Sequence, residues 1–207
     1  VLWDTGDERI YALEGSVFAA GSIFQWLRDG LDMLSQSAES EALARSVKDS
    51  GGVVFVPGLA GLGAPYWDAE ATASLSGMSF ATTRAHVVRA ALESIAHVLC
   101  DLKTAFAADG AAWSSLRIDG GMSANDWLAQ DLADMLAIPC ERPADIETTA
   151  RGAAMLAAFG AGLYASLEDT KAMTSPATAF RPHMDSGERD ARLRRWHAAL
   201  PAQVSRG

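Results

Sequence analysis

Between residues 85 and 108, Val88, Leu92, Ile95, Leu99, Leu102 and Phe106 recur four and three residues apart. That spacing lines one side of an α-helix with a continuous apolar stripe, so the chain must build its core along this segment. Thr82 or Thr83 is placed to cap it. His86 and His97 flank the stripe without metal-ligand spacing and read as surface or cap histidines.

The segments on either side alternate between strand and helix. Residues 9–13 alternate weakly, as a strand does, after the turn-forming Asp4-Thr5-Gly6-Asp7. A helix is expected from Ser16, with Ala20, Phe24, Leu27 and Leu31 at helical spacing and with Gly21 and Gln25 on one side of it. Glycine inside a helix costs about 1 kcal/mol against alanine, so Gly21 needs close packing or a ligand to justify it. Residues 37–50 give a second amphipathic helix, carrying Leu43 and Val47 and closed by Gly51-Gly52. Residues 53–56 read as a buried strand, and a glycine-bearing loop with Tyr66 and Trp67 follows as a packing or binding surface. Residues 73–77 make another short strand.

Beyond the long helix, residues 139–143 have proline at each end and read as an edge strand. Thr148 or Thr149 then caps a helix of small residues, Ala150, Gly152, Ala153, Ala154, Ala157, Ala158 and Gly160, suited to close approach of a neighbour. Residues 171–183 read as an irregular connection, and Asp185-x-x-Glu188 as the capping box of a last helix bearing Leu193, Trp196 and Leu200. Strands alternating with helices make this an α/β chain, read as one domain over residues 1–207.

Net charge is −9, from 17 Lys and Arg against 26 Asp and Glu, which disfavours nucleic acid and anionic membranes. The cluster Arg189, Arg192, Arg194 and Arg195 is expected on the solvated side of the last helix. Cys100 and Cys140 lack CxxC or Cys/His spacing and read as buried free thiols of a reducing cytoplasm. No apolar run reaches the length of a membrane span. The chain opens on Val1 without a signal-peptide pattern, as though in mid-structure.

Residues 116–125, Leu-Arg-Ile-Asp-Gly-Gly-Met-Ser-Ala-Asn, combine an apolar strand, a Gly120-Gly121 turn and the start of a helix. Paired glycines leave no side chain between main chain and ligand, and a helix start suits a phosphate. Ser123 and Asn125 can cap that helix or face the ligand; a plain tight turn is equally open. There is no P-loop, no nucleophile elbow, no dinucleotide fingerprint and no HExxH. No general base is visible. The residues alone stop at a phosphate- or nucleotide-friendly α/β chain.

Several blocks go further. Tyr11-Ala-Leu-Glu-Gly-Ser16, Gly21-Ser-Ile-Phe-Gln-Trp-Leu27, Gly61-Leu-Gly-Ala-Pro-Tyr-Trp-Asp68, Asp119-Gly-Gly-Met-Ser-Ala-Asn125 and Glu147-Thr-Thr-Ala-Arg-Gly-Ala-Ala154 stand in order over residues 10–165. They resemble the C-terminal half of the glycerol kinases, and residues 73–93 resemble the signature of the wider FGGY carbohydrate kinases. The resemblance implies an actin-like (RNase H-like) ATPase domain, a mixed sheet flanked by helices, with ATP or ADP and Mg²⁺ in a cleft against an N-terminal domain. It implies nucleotide contacts at Gly21 and Gln25, and at Gly121 and Asn125 with Gly120 beside them. Asp119 is expected to be a structural or water-mediated partner of the loop. The family's catalytic aspartate, in a Gly-Asp-Gln context, and its Thr-Gly-Thr phosphate loop have no match here. The chain is therefore expected to carry no catalytic base and no metal ligand of its own. Arg151 stands where the family usually has leucine, which bears on local helix packing.

The implied parent reaction is ATP + glycerol → sn-glycerol 3-phosphate + ADP, with the polyol reaching the enzyme through the other domain. Another polyol or pentulose as substrate, a non-catalytic nucleotide-binding module and a ligand-free scaffold are the alternatives. Homo-oligomerisation stays open.

Overall fold

The computed structural model describes residues 2–4 and 9–200. Its elements are β1 (Trp3–Asp4), β2 (Arg9–Ile10), α1 (Gly21–Asp29), α2 (Glu39–Arg45), β3 (Val54–Val56), β4 (Ser74–Ser76), α3 (Arg84–Ala108), β5 (Leu116–Arg117), α4 (Asp126–Leu136), β6 (Cys140–Pro143), α5 (Thr148–Gly160), β7 (Ala177–Phe180) and α6 (Ser186–Ala199). Single 3-10 turns at Gly121–Ala124 and Asp169–Met173 precede α4 and β7. Most of the expected turn at residues 4–7 lies outside the described residues.

The long helix is the axis of the molecule. Thr83 caps α3, and its backbone N–H reaches His86 Nδ1 at 3.1 Å, so His86 is a cap histidine as expected. The stripe Val88, Leu92, Ile95 and Leu102 is buried, but so are Glu93, Ser94 and His97 on the other sides of the helix. α3 is enclosed because α2, α4 and β3 all pack against it. Strand β3 shows why two cores form: Phe55 points into the main one, while Val54 and Val56 join Leu62, Val98 and Trp196 in a second. Period-two alternation with both sides covered produces this pattern.

β5, β6 and β7 form one sheet, with β5–β6 parallel and β6–β7 antiparallel. α4 packs on β6 and β7, and the β5–α4–β6 unit fixes the turn that follows β5. β6 is therefore central, not an edge strand. Its prolines mislead because Pro139 lies just outside the strand and accepts from Leu116 N–H at 2.9 Å. The expected irregular connection over residues 171–183 contains β7, whose Ala-Thr-Ala-Phe carries little apolar signal.

Other differences follow from packing. α1 starts at Gly21, five residues later than Ser16, so Gly21 occupies a helix terminus and carries little of the interior penalty. α2 ends at Arg45, before Val47. Arg192 is buried, unlike the solvated arginine expected, because Asp131 on α4 meets it. His97 is also buried, stacked on Trp196 at 5.4 Å between ring centres. In the Gly61–Asp68 loop, Tyr66 donates to Asp101, which also accepts from Trp196 Nε1 at 2.6 Å. That loop is thereby pinned to α3 and α6. Both cysteines are free and buried, and burial pushes the Cys100 thiol up to about 12 and Cys140 to about 11. α5 buries none of its residues, and a Cβ at Gly152 or Gly160 would meet nothing within 4 Å. Its neighbour among the described residues is the 3-10 turn Asp169–Met173, and Gly152 and Gly160 are not what that packing uses. No helix of the described residues is long and apolar enough to cross a membrane.

Candidate functional site

The turn after β5 is held from three directions. Ile118 N–H donates to the Glu141 carbonyl at 2.9 Å, carrying the chain one residue past the strand. Gly120 then takes φ 77°, ψ 173°, which a side chain would oppose. Its N–H donates to the Ile146 carbonyl at 3.1 Å, and Thr148 donates its hydroxyl to Asp119. Asp119 is thus a structural tie between the turn and α5. Ser123 closes the 3-10 turn, its hydroxyl donating to the Gly120 carbonyl at 2.7 Å. Arg142 braces it from β6, donating to the Ser123 carbonyl at 2.7 Å and pairing with Asp126 at 2.8 Å.

Asn125 ends the turn and starts α4. Its Oδ1 accepts from Leu128 N–H at 2.9 Å, satisfying one of the donors a helix start leaves open. Opposite stands the start of α1. Gly21 and Gln25, one helical turn apart, face Gly121, Met122, Ala124 and Asn125 across a cavity of about 440 Å³. Ser37, Ser40 and Glu41 close a further side. Four of the five residues singled out in the sequence therefore line one cavity. Gly120 does not; it shapes the turn that presents Gly121.

The sequence pointed to neither Ser37, Ser40 nor Glu41. The available signal was Ser40 itself, a polar residue on the inward side of a helix whose other buried residue is Ala44. Glu41 is spent on the protein: Oε2 accepts from Asp126 N–H at 3.0 Å, and Oε1 pairs with Arg45 at 2.8 Å. What remains for a ligand is hydroxyls, carboxamides, the Met122 side chain and main chain exposed by glycine. A Cβ at Gly121 would meet nothing within 4 Å, and one at Gly21 would stand 3.4 Å from Met122 Cγ. The cavity has the mixed polar and apolar lining typical of small-molecule sites. Glu41 is the one ionisable side chain of its lining, and it is committed to Asp126 and Arg45.

A larger cavity, about 660 Å³, lies on the other side of the Asp119 turn, between the sheet and α5. Its charges are mutually spent. Arg117 meets Glu141 at 3.4 Å, Arg151 meets Asp145 at 3.5 Å and donates to Ser175 at 3.0 Å, and Lys171 meets Glu168 at 2.6 Å. Among the described residues, no group of three or more His, Cys, Asp or Glu stands ready for a metal ion.

The model of the FGGY family of carbohydrate kinases, C-terminal domain, matches residues 2–161. The chain belongs to that family. An FGGY relative, a glycerol kinase of Acidovorax sp., is 47% identical over 98% of this chain and 42% of its own length. The structure of a Plasmodium falciparum glycerol kinase with ADP is similar at a TM-score of 0.79 and 32% identity, over 88% of this chain and 37% of that one. A xylulose kinase of Rhodospirillum rubrum gives 0.73 and 26%, over 88% and 38%. This FGGY chain spans about two fifths of the length of the relatives it matches. Its α/β architecture, a mixed sheet flanked by helices, is the actin-like ATPase C-terminal domain of such kinases.

Proposed function

We propose that the chain is the C-terminal, nucleotide-binding portion of a glycerol kinase, which phosphorylates glycerol to sn-glycerol 3-phosphate with ATP. The convergence of Gly21, Gln25, Gly121 and Asn125 on one cavity carries this reading. These residues come from two distant segments, and a scaffold without a ligand has no reason to bring two glycines and two carboxamides together. Gly21 and Gln25 would hold one side of the adenosine. Gly121 would let the phosphates pass close to the main chain, and Asn125 would orient the opposite side.

Phosphoryl transfer needs chiefly positioning and charge stabilisation. Mg²⁺ bound with the nucleotide would supply charge neutralisation on the phosphates. The base that accepts the glycerol proton would come from the N-terminal domain of the parent enzyme, its partner across the cleft. The uncovered side of α5, where Leu156 is exposed and Gly152 has open space, suits contact with that remainder. Free buried thiols suit a cytoplasmic setting. A pentulose or another polyol as substrate is the second reading, favoured by the structural likeness to a xylulose kinase; the 47% identity to a glycerol kinase favours glycerol.

The test compares the 207-residue chain with the same chain fused behind the N-terminal portion of the Acidovorax relative. The chain alone is expected to bind ADP weakly and to phosphorylate nothing. The fusion is expected to phosphorylate glycerol in preference to xylulose. Glycerol phosphorylation by the chain alone would overturn the division of labour, and xylulose preference would overturn the substrate.

A further inference from the structure

Ser40 and Asn125 lie far apart in sequence, on α2 and at the cap of α4, and meet at the wall of the nucleotide cavity. Asn125 Nδ2 donates to Ser40 Oγ at 3.2 Å, and Ser40 Oγ donates onward to the Ser37 carbonyl at 2.7 Å. Ser40 is 1% exposed and Asn125 9%. The direction of this chain of bonds is forced. The Ser40 proton is committed to Ser37, so its oxygen accepts, and only the NH₂ side of the carboxamide can face it. The Leu128 N–H meanwhile requires the oxygen side of the same carboxamide. Both ends of the Asn125 amide are therefore set by protein groups, and a flipped amide would break both bonds.

We propose, building on the nucleotide reading above, that Ser40 is a positioning residue of the nucleotide site. It acts through Asn125, holding the carboxamide so that the second Nδ2–H is presented to a hydrogen-bond acceptor on the nucleotide. Helix α2 is then part of the binding machinery as well as of the wall. A second link makes the coupling stiff, because Glu41 Oε2 accepts the first N–H of α4, from Asp126, at 3.0 Å. Without Ser40 the Leu128 bond alone holds the carboxamide, which can then rock about its χ2 bond. The ligand must then order it, and binding weakens.

The experiment is an ADP titration of the chain and of Ser40→Ala, Asn125→Ala and the double variant, with the melting temperature and the Asn125 side-chain NH₂ resonances followed by NMR. Ser40→Ala is expected to shift those resonances without ligand and to weaken ADP about fivefold to tenfold. The two substitutions together should weaken ADP no more than Asn125→Ala alone. A melting temperature lowered by Ser40→Ala with ADP affinity unchanged would overturn the positioning role and leave the nucleotide site standing. Additive losses would overturn action through Asn125. No ADP binding by the unsubstituted chain, with the NH₂ shift still present, would overturn the nucleotide reading on which the proposal rests.

Discussion

Arg192 on α6 grips Asp131 on α4 with both terminal nitrogens, at 2.5 and 2.9 Å. Both side chains are buried, 6% and 4% exposed. Burial alone would lower the guanidinium pKa, but the Asp131 charge and hydrogen bond, with Glu93 behind them, raise it overall. Breaking the pair from one side leaves the buried guanidinium without the carboxylate that holds both its terminal nitrogens. Asp131→Ala is expected to cost about 3–5 kcal/mol, read as a lower urea midpoint at unchanged slope. Replacing both, Asp131→Leu with Arg192→Met, should recover most of that loss, since removing two buried charges together strands neither.

His97 gives the fold a dependence on mild acid. Both its ring nitrogens are buried without a hydrogen-bond partner. Burial, and then the charges of Arg192, Arg195 and His197, hold its pKa well below the usual 6.5. Above about pH 6.5 the imidazole is neutral in both states and contributes no pH dependence. Below that, the unfolded chain takes up a proton that the folded chain refuses, so stability falls as pH drops, by up to about 1.4 kcal/mol per pH unit. Glu93 acts in the opposite direction: desolvation raises its pKa, so its contribution to stability falls as pH rises past the ordinary carboxylate range. His97→Phe keeps the stack on Trp196 and removes only the imidazole. The urea midpoint of His97→Phe should exceed that of the parent by a margin that widens from neutral pH to pH 5.5. A constant difference across that range would count against the assignment.

The same buried polar groups mark the limit of what the residues reveal by themselves. The α3 stripe, β3, β5 and the glycine turn are written in local periodicity and could be placed without a structure. β7 could not, because Ala-Thr-Ala-Phe gains its strand conformation from pairing with β6 and not from its own composition. Arg192 and His97 were read as surface groups because burial of a polar residue depends on a partner from another helix, which no window of sequence contains. At the candidate site, Gly21, Gln25, Gly121 and Asn125 were legible through family resemblance. Ser40 and Glu41 were not, since their role arises only when α2 folds against the start of α4.

Gly121 supplies the sharpest separation of binding from folding. A Cβ there meets nothing within 4 Å, so the fold has no objection to a side chain. The cavity beside it is only about 440 Å³, and its proposed ligand must run close to the main chain at that point. Gly121→Val should therefore leave stability within about 0.5 kcal/mol of the parent, as for a surface substitution, while lowering ADP affinity at least tenfold. Gly152→Val, also in open space but on α5, is the control and should leave ADP binding by the isolated chain unchanged. Calorimetric titration beside urea unfolding separates the two effects. If Gly121→Val bound ADP as the parent does, the nucleotide would have to lie elsewhere, and the glycine turn would be a turn and nothing more.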